Sequence, residues 1–192
     1  MSSYDSYYEK IGSKINCIIE EIPFEIPDNW QYIRLKDYFE LLSGRDLQKE
    51  DFNSKQRGIP YITGASNFIN NTIFIERWTE KPQVITKIGD LLITCKGTVG
   101  KMCYNTFGDA HIARQVMAIR NTFEFEKDYL ELCMLYYVEK IKESAKGMIP
   151  GISRDDLLNI LLPIPPIKYQ KELIYTIKEY NKVINSIEKS LF

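Results

Sequence analysis

Histidine is nearly absent from these 192 residues, with His111 the one example. A single imidazole excludes a multi-histidine metal centre. A Cys-His catalytic pair would have to join His111 to Cys95, with only Asp109 close in sequence to orient the ring. The four cysteines, Cys17, Cys95, Cys103 and Cys133, include no C-x-x-C pair. That speaks against a zinc knuckle or a disulfide framework and leaves buried free thiols as the expectation. No apolar run approaches a membrane span, and the opening residues have neither the basic nor the apolar region of a signal peptide, so a cytoplasmic location is expected. A net charge of −1 carries no overall polyanion-binding signature. The glycine-rich stretch Gly97-Thr-Val-Gly-Lys101 is no phosphate loop. It has two residues between its glycines where four are needed, and Met102 stands where Ser or Thr should follow the lysine. Asp155 and Asp156 lie at a helix start, where they complement the dipole, and general acid-base chemistry is not needed to explain them. The residues imply no cofactor, metal or catalytic set.

What is present is length enough for one sizeable core or one domain plus an extension. Residues 1–22 are polar and tyrosine-rich, and are expected to form a poorly anchored leader with a short strand near Ile18. Pro23 to Trp30 reads as an extended lead-in. Short strands are expected over Gln31–Leu35, Ile59–Thr63 and Thr72–Ile75, with one helical turn within Lys36–Leu42. The strongest β signal is Leu91–Cys95, a glycine-bracketed turn, and a return strand Lys101–Tyr104, followed by Val116–Arg120. From Lys127 the period becomes 3.6, with Tyr129, Leu132, Cys133, Tyr136, Tyr137 and Ile141 on one face and Gly147 placed to end the helix. Ser153 with Asp156 marks a further short helix start.

The chain closes on Ile160-Leu-Leu-Pro-Ile-Pro-Pro166 and a helix in which Leu173, Ile177, Tyr180, Ile184, Ile187 and Leu191 follow alternating steps of four and three. That is a heptad seam, about 35 Å of helix that needs a second helix to cover it. The resulting fold class is α+β: a globular unit with a curved, mixed β-sheet and packed helices, then a long C-terminal coiled-coil-forming helix. The expected boundaries are 1–22, 23–163 and 164–192.

Charge is unevenly spread. Between Arg45 and Arg120 eleven basic residues face seven acidic ones, a modest excess suited to a protein that touches nucleic acid over part of its surface. Candidate backbone contacts are Arg45, Lys49, Lys55 and Arg57 on a charged loop, and Lys96 and Lys101 flanking the glycine turn. Thr63, Ser66, Asn67, Arg114 and Gln115 are residue types that read base edges, or equally that cap turns and strands.

Taken in order, Pro23-Phe-Glu-Ile-Pro-Asp-Asn-Trp30 with Ile33-Arg-Leu35, Ile59-Pro-Tyr-Ile-Thr-Gly64, Gly89-Asp-Leu-Leu-Ile-Thr-Cys-Lys-Gly-Thr-Val-Gly-Lys101, Ala113-Arg-Gln115, Gly151-Ile-Ser153, Ile164-Pro-Pro166 and Gln170 resemble the specificity subunit of type I restriction-modification systems. The resemblance implies a target recognition domain over residues 23–163 and a spacer helix over 164–192. It further implies that the domain reads one half of a split double-stranded DNA site, and that methylation and cleavage belong to methyltransferase and restriction/translocase subunits. A full specificity subunit has two such units with antiparallel helices; this sequence has one. A homodimer through Leu173, Ile177, Tyr180, Ile184, Ile187 and Leu191 is therefore expected, whether the unit is a natural half or the distal half of a longer protein. Competing classes are an enzyme, for which no motif is present, and a regulatory partner of a methyltransferase that does not touch DNA.

Overall fold

A computed structural model describes residues 7–144 and 151–190. The chain opens with a hairpin, β1 (Tyr8–Ile11) and β2 (Lys14–Cys17), then continues through β3 (Gln31–Arg34), a single helical turn α1 (Leu35–Tyr38) and β4 (Phe39–Ser43). Short strands follow: β5 (Ile59–Ile62), β6 (Phe68–Ile69), β7 (Thr72–Ile73), β8 (Trp78–Thr79) and β9 (Ile85–Thr86). After these come β10 (Leu91–Thr94), β11 (Met102–Tyr104), β12 (Ala110–Ile112) and β13 (Val116–Asn121). Helices α2 (Lys127–Ser144) and α3 (Arg154–Leu158), strand β14 (Leu161–Ile164) and helix α4 (Ile167–Ser190) complete the described chain.

β10 is buried at every position, and its neighbours explain why an uninterrupted apolar run suits it. It lies between β11 and β13 in an antiparallel sheet of order β11-β10-β13-β4. Alternate side chains leave a strand on opposite faces. Leu91 and Ile93, with Met117, Ile119 and Leu41, meet Leu130, Met134 and Val138 of α2 on one face. Leu92, with Ala118 and Cys103, meets Ile62 of β5 and Ile112 of β12 on the other. The layers are thus helix, antiparallel sheet, and a second sheet of order β8-β5-β12-β9. The mixed character resides in this second sheet, where β12 runs parallel to β5 and antiparallel to β9. Arg120 stitches the sheets together. Its Nε and Nη2 reach the buried Asp90 carboxylate at 2.9 and 2.8 Å, and Nη2 also reaches the Ile85 carbonyl at 3.2 Å.

Several expectations change. Residues 7–22 are tied to the body, in contrast to a poorly anchored leader: the Arg34 guanidinium pairs with Glu9 and with Glu21, the latter at 2.9 Å, and Ile18 is buried. Helix within Lys36–Leu42 stops at Tyr38, because Phe39–Ser43 pairs with β13 from Met117↔Ser43 to Asn121↔Phe39. The buried stripe of α2 is centred on Leu130, Met134 and Val138, with Tyr129 and Cys133 beside it; Tyr136 is only half-buried. Gly147 lies outside the described residues. Cys95, Cys103 and Cys133 are buried, whereas Cys17 is exposed.

The α3 start follows the sequence pattern. Ser153 Oγ accepts from the Asp156 N–H at 3.1 Å, and the Asp156 carboxylate accepts from the Ser153 N–H at 2.7 Å. The Pro-stiffened segment forms β14, paired to β3 alone, where a proline costs no ladder bond to a second neighbour. Tyr129 Oη donates to the Pro163 carbonyl at 3.0 Å. Gln170 is buried at the root of α4. Its Oε1 accepts from the Glu126 N–H at 2.9 Å, and its Nε2 donates to the Pro165 carbonyl at 2.9 Å.

Candidate nucleic-acid interface

β10 and β4 end, and β13 and β11 begin, at one end of the antiparallel sheet; the parallel pair β5 and β12 ends beside them. Five loops therefore converge: 43–46, 63–67, 95–101, 113–115 and 151–154. Their contacts are direct. The Ala113 N–H donates to the Ile62 carbonyl at 2.9 Å, the Cys95 N–H to the Gln115 carbonyl at 2.8 Å, and the Ile152 N–H to the Cys95 carbonyl at 2.9 Å. Arg154 donates to the Leu41 carbonyl at 2.6 Å and to Ser43 Oγ at 3.1 Å. Gly44 is required by close approach, because a Cβ there would collide with the Ala113 carbonyl. At Gly64 a Cβ would occupy the place of the Gln115 amide oxygen, so the bare glycine gives Gln115 its seat.

This rim carries most of the expected site residues, but their availability differs. Arg45, Ser66, Lys96, Arg114 and Gln115 are exposed. Asn67 is not free to read a base. It is buried, its Oδ1 accepts from the N–H groups of Thr63 and Gly64 at 2.8 and 3.2 Å, and its Nδ2 donates to the Phe74 carbonyl at 2.8 Å. Thr63 is half-buried and spends its hydroxyl on the same Oδ1 at 3.1 Å. Lys101 Nζ donates to the Ala65 and Phe68 carbonyls, each at 3.2 Å, so it holds the 63–68 loop.

Lys49, Lys55 and Arg57 are not brought to the rim with the others. They lie on the loop that leads into the opposite, N-terminal end of β5, where Arg57 approaches Glu80 at 3.8 Å and Asp51 holds Lys81 at 2.6 Å. The proposed helix seam is also divided. Leu173 packs against the main core and Ile177 is half-buried, while Tyr180, Ile184 and Ile187 are 65, 51 and 54% exposed. Leu191 lies outside the described residues.

Three rim residues escape a reading of residue types. Asp46 pairs with Arg114, Arg154 adds a cation, and Cys95 binds two loops through its backbone. A lone Asp beside an Arg in sequence and a helix-start Arg carry no distinctive signal. Burial raises the Cys95 thiol pKa above its ordinary value, and Sγ donates to the Arg114 carbonyl at 3.6 Å. His111 is buried, with Nε2 at 2.9 Å from the Arg45 carbonyl and Nδ1 against Val84. The two residues therefore form no catalytic pair. Among the described residues no group of three or more His, Cys, Asp or Glu side chains could hold a metal ion, and no helix is long and apolar enough to cross a membrane.

Comparison with known proteins adds a family. A model described as type I restriction modification DNA specificity domain matches residues 27–191. A putative type I restriction enzyme MjaX specificity subunit from Methanocaldococcus jannaschii is 26% identical over 164 residues, covering 83% of this chain and 38% of that protein. The MjaVIII specificity subunit of the same organism is 22% identical over 179 residues, with 86 and 39% covered. The chain thus spans about two-fifths of the length of these relatives. An HsdS subunit structure from Thermoanaerobacter tengcongensis superposes with a TM-score of 0.74 at 22% identity, over 88% of this chain and 41% of that one. A type I system S subunit from M. genitalium gives 0.60 at 17% identity, over 85 and 42%.

Proposed function

The chain belongs to the type I restriction modification DNA specificity domain family, and on that footing we propose that it is a sequence-specific DNA-binding specificity unit that reads one half of a bipartite target. The observation that carries this reading is the rim, where five loops bring Arg45, Ser66, Lys96, Arg114, Gln115 and Arg154 together at one end of two stacked sheets. Cations there meet phosphates and fix register, while amide and guanidinium groups meet base edges. In this reading residues 23–163 are the reader and 164–192 the spacer helix. The unit supplies recognition in the cytoplasm, and methyl transfer and cleavage belong to methyltransferase and restriction subunits. The exposed run Tyr180, Val183, Ile184 and Ile187 supports pairing of α4 with α4 of a second copy.

The test uses the full chain with a type I methyltransferase subunit and a plasmid, followed by mapping of the methylated positions. Modification confined to one split motif is the expected result. Modification that is absent or scattered without sequence preference overturns the reading. Binding to the methyltransferase without binding to DNA identifies a regulatory partner instead.

A further inference from the structure

The turn from Ala113 to Val116 is pinned from three sides. Ala113 donates to the end of β5 through the Ile62 carbonyl, the Val116 N–H closes the turn on the Ala113 carbonyl at 2.9 Å, and Cys95 holds the Gln115 carbonyl at 2.8 Å. Asp46 supplies the remaining side. Its Oδ1 accepts from the Arg114 backbone N–H at 3.2 Å, and its Oδ2 lies 2.8 Å from Arg114 Nε. One carboxylate therefore grips the root and the neck of the same side chain. The side chain is nevertheless 68% exposed, and its Nη groups donate to no protein acceptor among the described residues.

An arginine anchored at its backbone N–H, ion-paired beside Nε and left unbonded at its far edge offers two parallel N–H groups to a ligand. Two ligands match that fork: a phosphate, and the O6 and N7 acceptors of guanine in the major groove. Asp46 decides between them. Its negative charge offsets the cation as seen by a distant phosphate and repels one that comes close. A guanine edge bears no net charge and is not repelled in that way. Pre-orientation also removes ordering cost at the moment of binding.

We propose that Arg114 reads a guanine in the half-site, and that Asp46 is the positioning residue that makes it a base reader instead of a phosphate clamp. This rests on the DNA-reading function above. It adds the base recognised and the residue that sets the discrimination.

The experiment selects duplexes from a random-sequence pool with the full-length chain, then measures binding of the enriched duplex at two salt concentrations. Wild-type protein should enrich a half-site containing a guanine. Arg114→Gln should weaken that duplex about 10- to 100-fold, erase the preference at that one position and leave the salt slope unchanged. Asp46→Asn should lower the guanine preference several-fold while strengthening binding to unrelated duplexes and steepening their salt dependence by about one unit. Both side chains reach solvent, and a melting curve for each variant identifies any loss of fold. Should Arg114→Gln weaken all duplexes alike with a shallower slope, Arg114 is a phosphate contact and the proposal is overturned. An enriched site without guanine, or an Asp46→Asn variant with unaltered preference and slope, overturns it as well. If wild-type protein enriches no sequence, the reading function itself fails.

Discussion

His111 couples the buried interior to the rim. It stacks on Tyr61 with ring centroids 4.9 Å apart. The neutral tautomer that satisfies its neighbours donates from Nε2 to the Arg45 carbonyl at 2.9 Å and accepts the Val84 N–H at Nδ1, 3.2 Å away. The cation could donate to the Val84 carbonyl as well, at 3.0 Å, which favours charge. Burial acts more strongly in the other direction, and the pKa falls below the ordinary imidazole value. In the unfolded chain the ring has a pKa of about 6.5. The group therefore contributes stability that is fully present above that pH and is lost as pH falls towards the folded-state pKa, because the unfolded chain takes up the proton first. As the sequence holds one histidine, a proton NMR titration follows it without ambiguity. The midpoint should lie below about 6.5; a midpoint at or above that value contradicts the burial argument. Asn67 and Lys101 teach the complementary lesson. Their residue types advertise contacts to DNA, but each is spent on backbone groups in the 63–68 loop or, for Asn67 Nδ2, at Phe74, a use that depends on a chain reversal invisible in residue order.

At the level of elements, α4 divides between two tasks. Its first turns belong to the body through Gln170, Leu173 and Ile174, and an ion pair joins Lys178 to Asp128. Beyond Lys178 the apolar positions Tyr180, Val183, Ile184 and Ile187 are exposed, as expected of a surface awaiting another helix. The double substitution Ile184→Glu, Ile187→Glu places two carboxylates on that surface without touching the joint. Light scattering at micromolar concentration should change from a dimer of about 45 kDa, twice 22.5 kDa, to the single chain, with the melting temperature of the reader unaltered. A wild-type chain that scatters as a monomer, or a variant that stays dimeric, removes α4 as the self-association surface. The long C-terminal helix was legible because a sustained period survives any tertiary context. That its first positions serve α2 was not legible, since one apolar stripe looks the same whichever partner covers it. The opposite failure is Phe39–Ser43, where two buried positions two apart, Phe39 and Leu41, make an alternation too short to be recognised as a strand in the sequence, and pairing with β13 decides. Likewise Ala110-His-Ile112 gives no pattern that distinguishes a buried strand, and its direction beside β5 comes from the second sheet alone.

For the molecule as a whole, the rim and the helix root lie at opposite ends of β13. Val116 stands at the rim, whereas Asn121 leads to Phe125 and to Glu126, whose N–H is held by Gln170. A packed sheet and a buried hydrogen-bonded joint transmit position without slack, so in the proposed pairing of two copies through α4 the helix beyond Lys178 sets how far this reader stands from its counterpart. Inserting seven residues of helix-forming sequence after Lys178 keeps Gln170 and the Asp128 ion pair in place and preserves the seam, because two turns nearly restore its orientation. At 1.5 Å per residue the reader moves about 10.5 Å along the helix axis, or about three base pairs at 3.4 Å per step for each arm lengthened. Methylation mapping on the same plasmid should return the same bases in each half-site with a longer gap between them. A changed half-site means that α4 bends the reader as well as carrying it. An unchanged gap means that the distance is set by some element other than this helix.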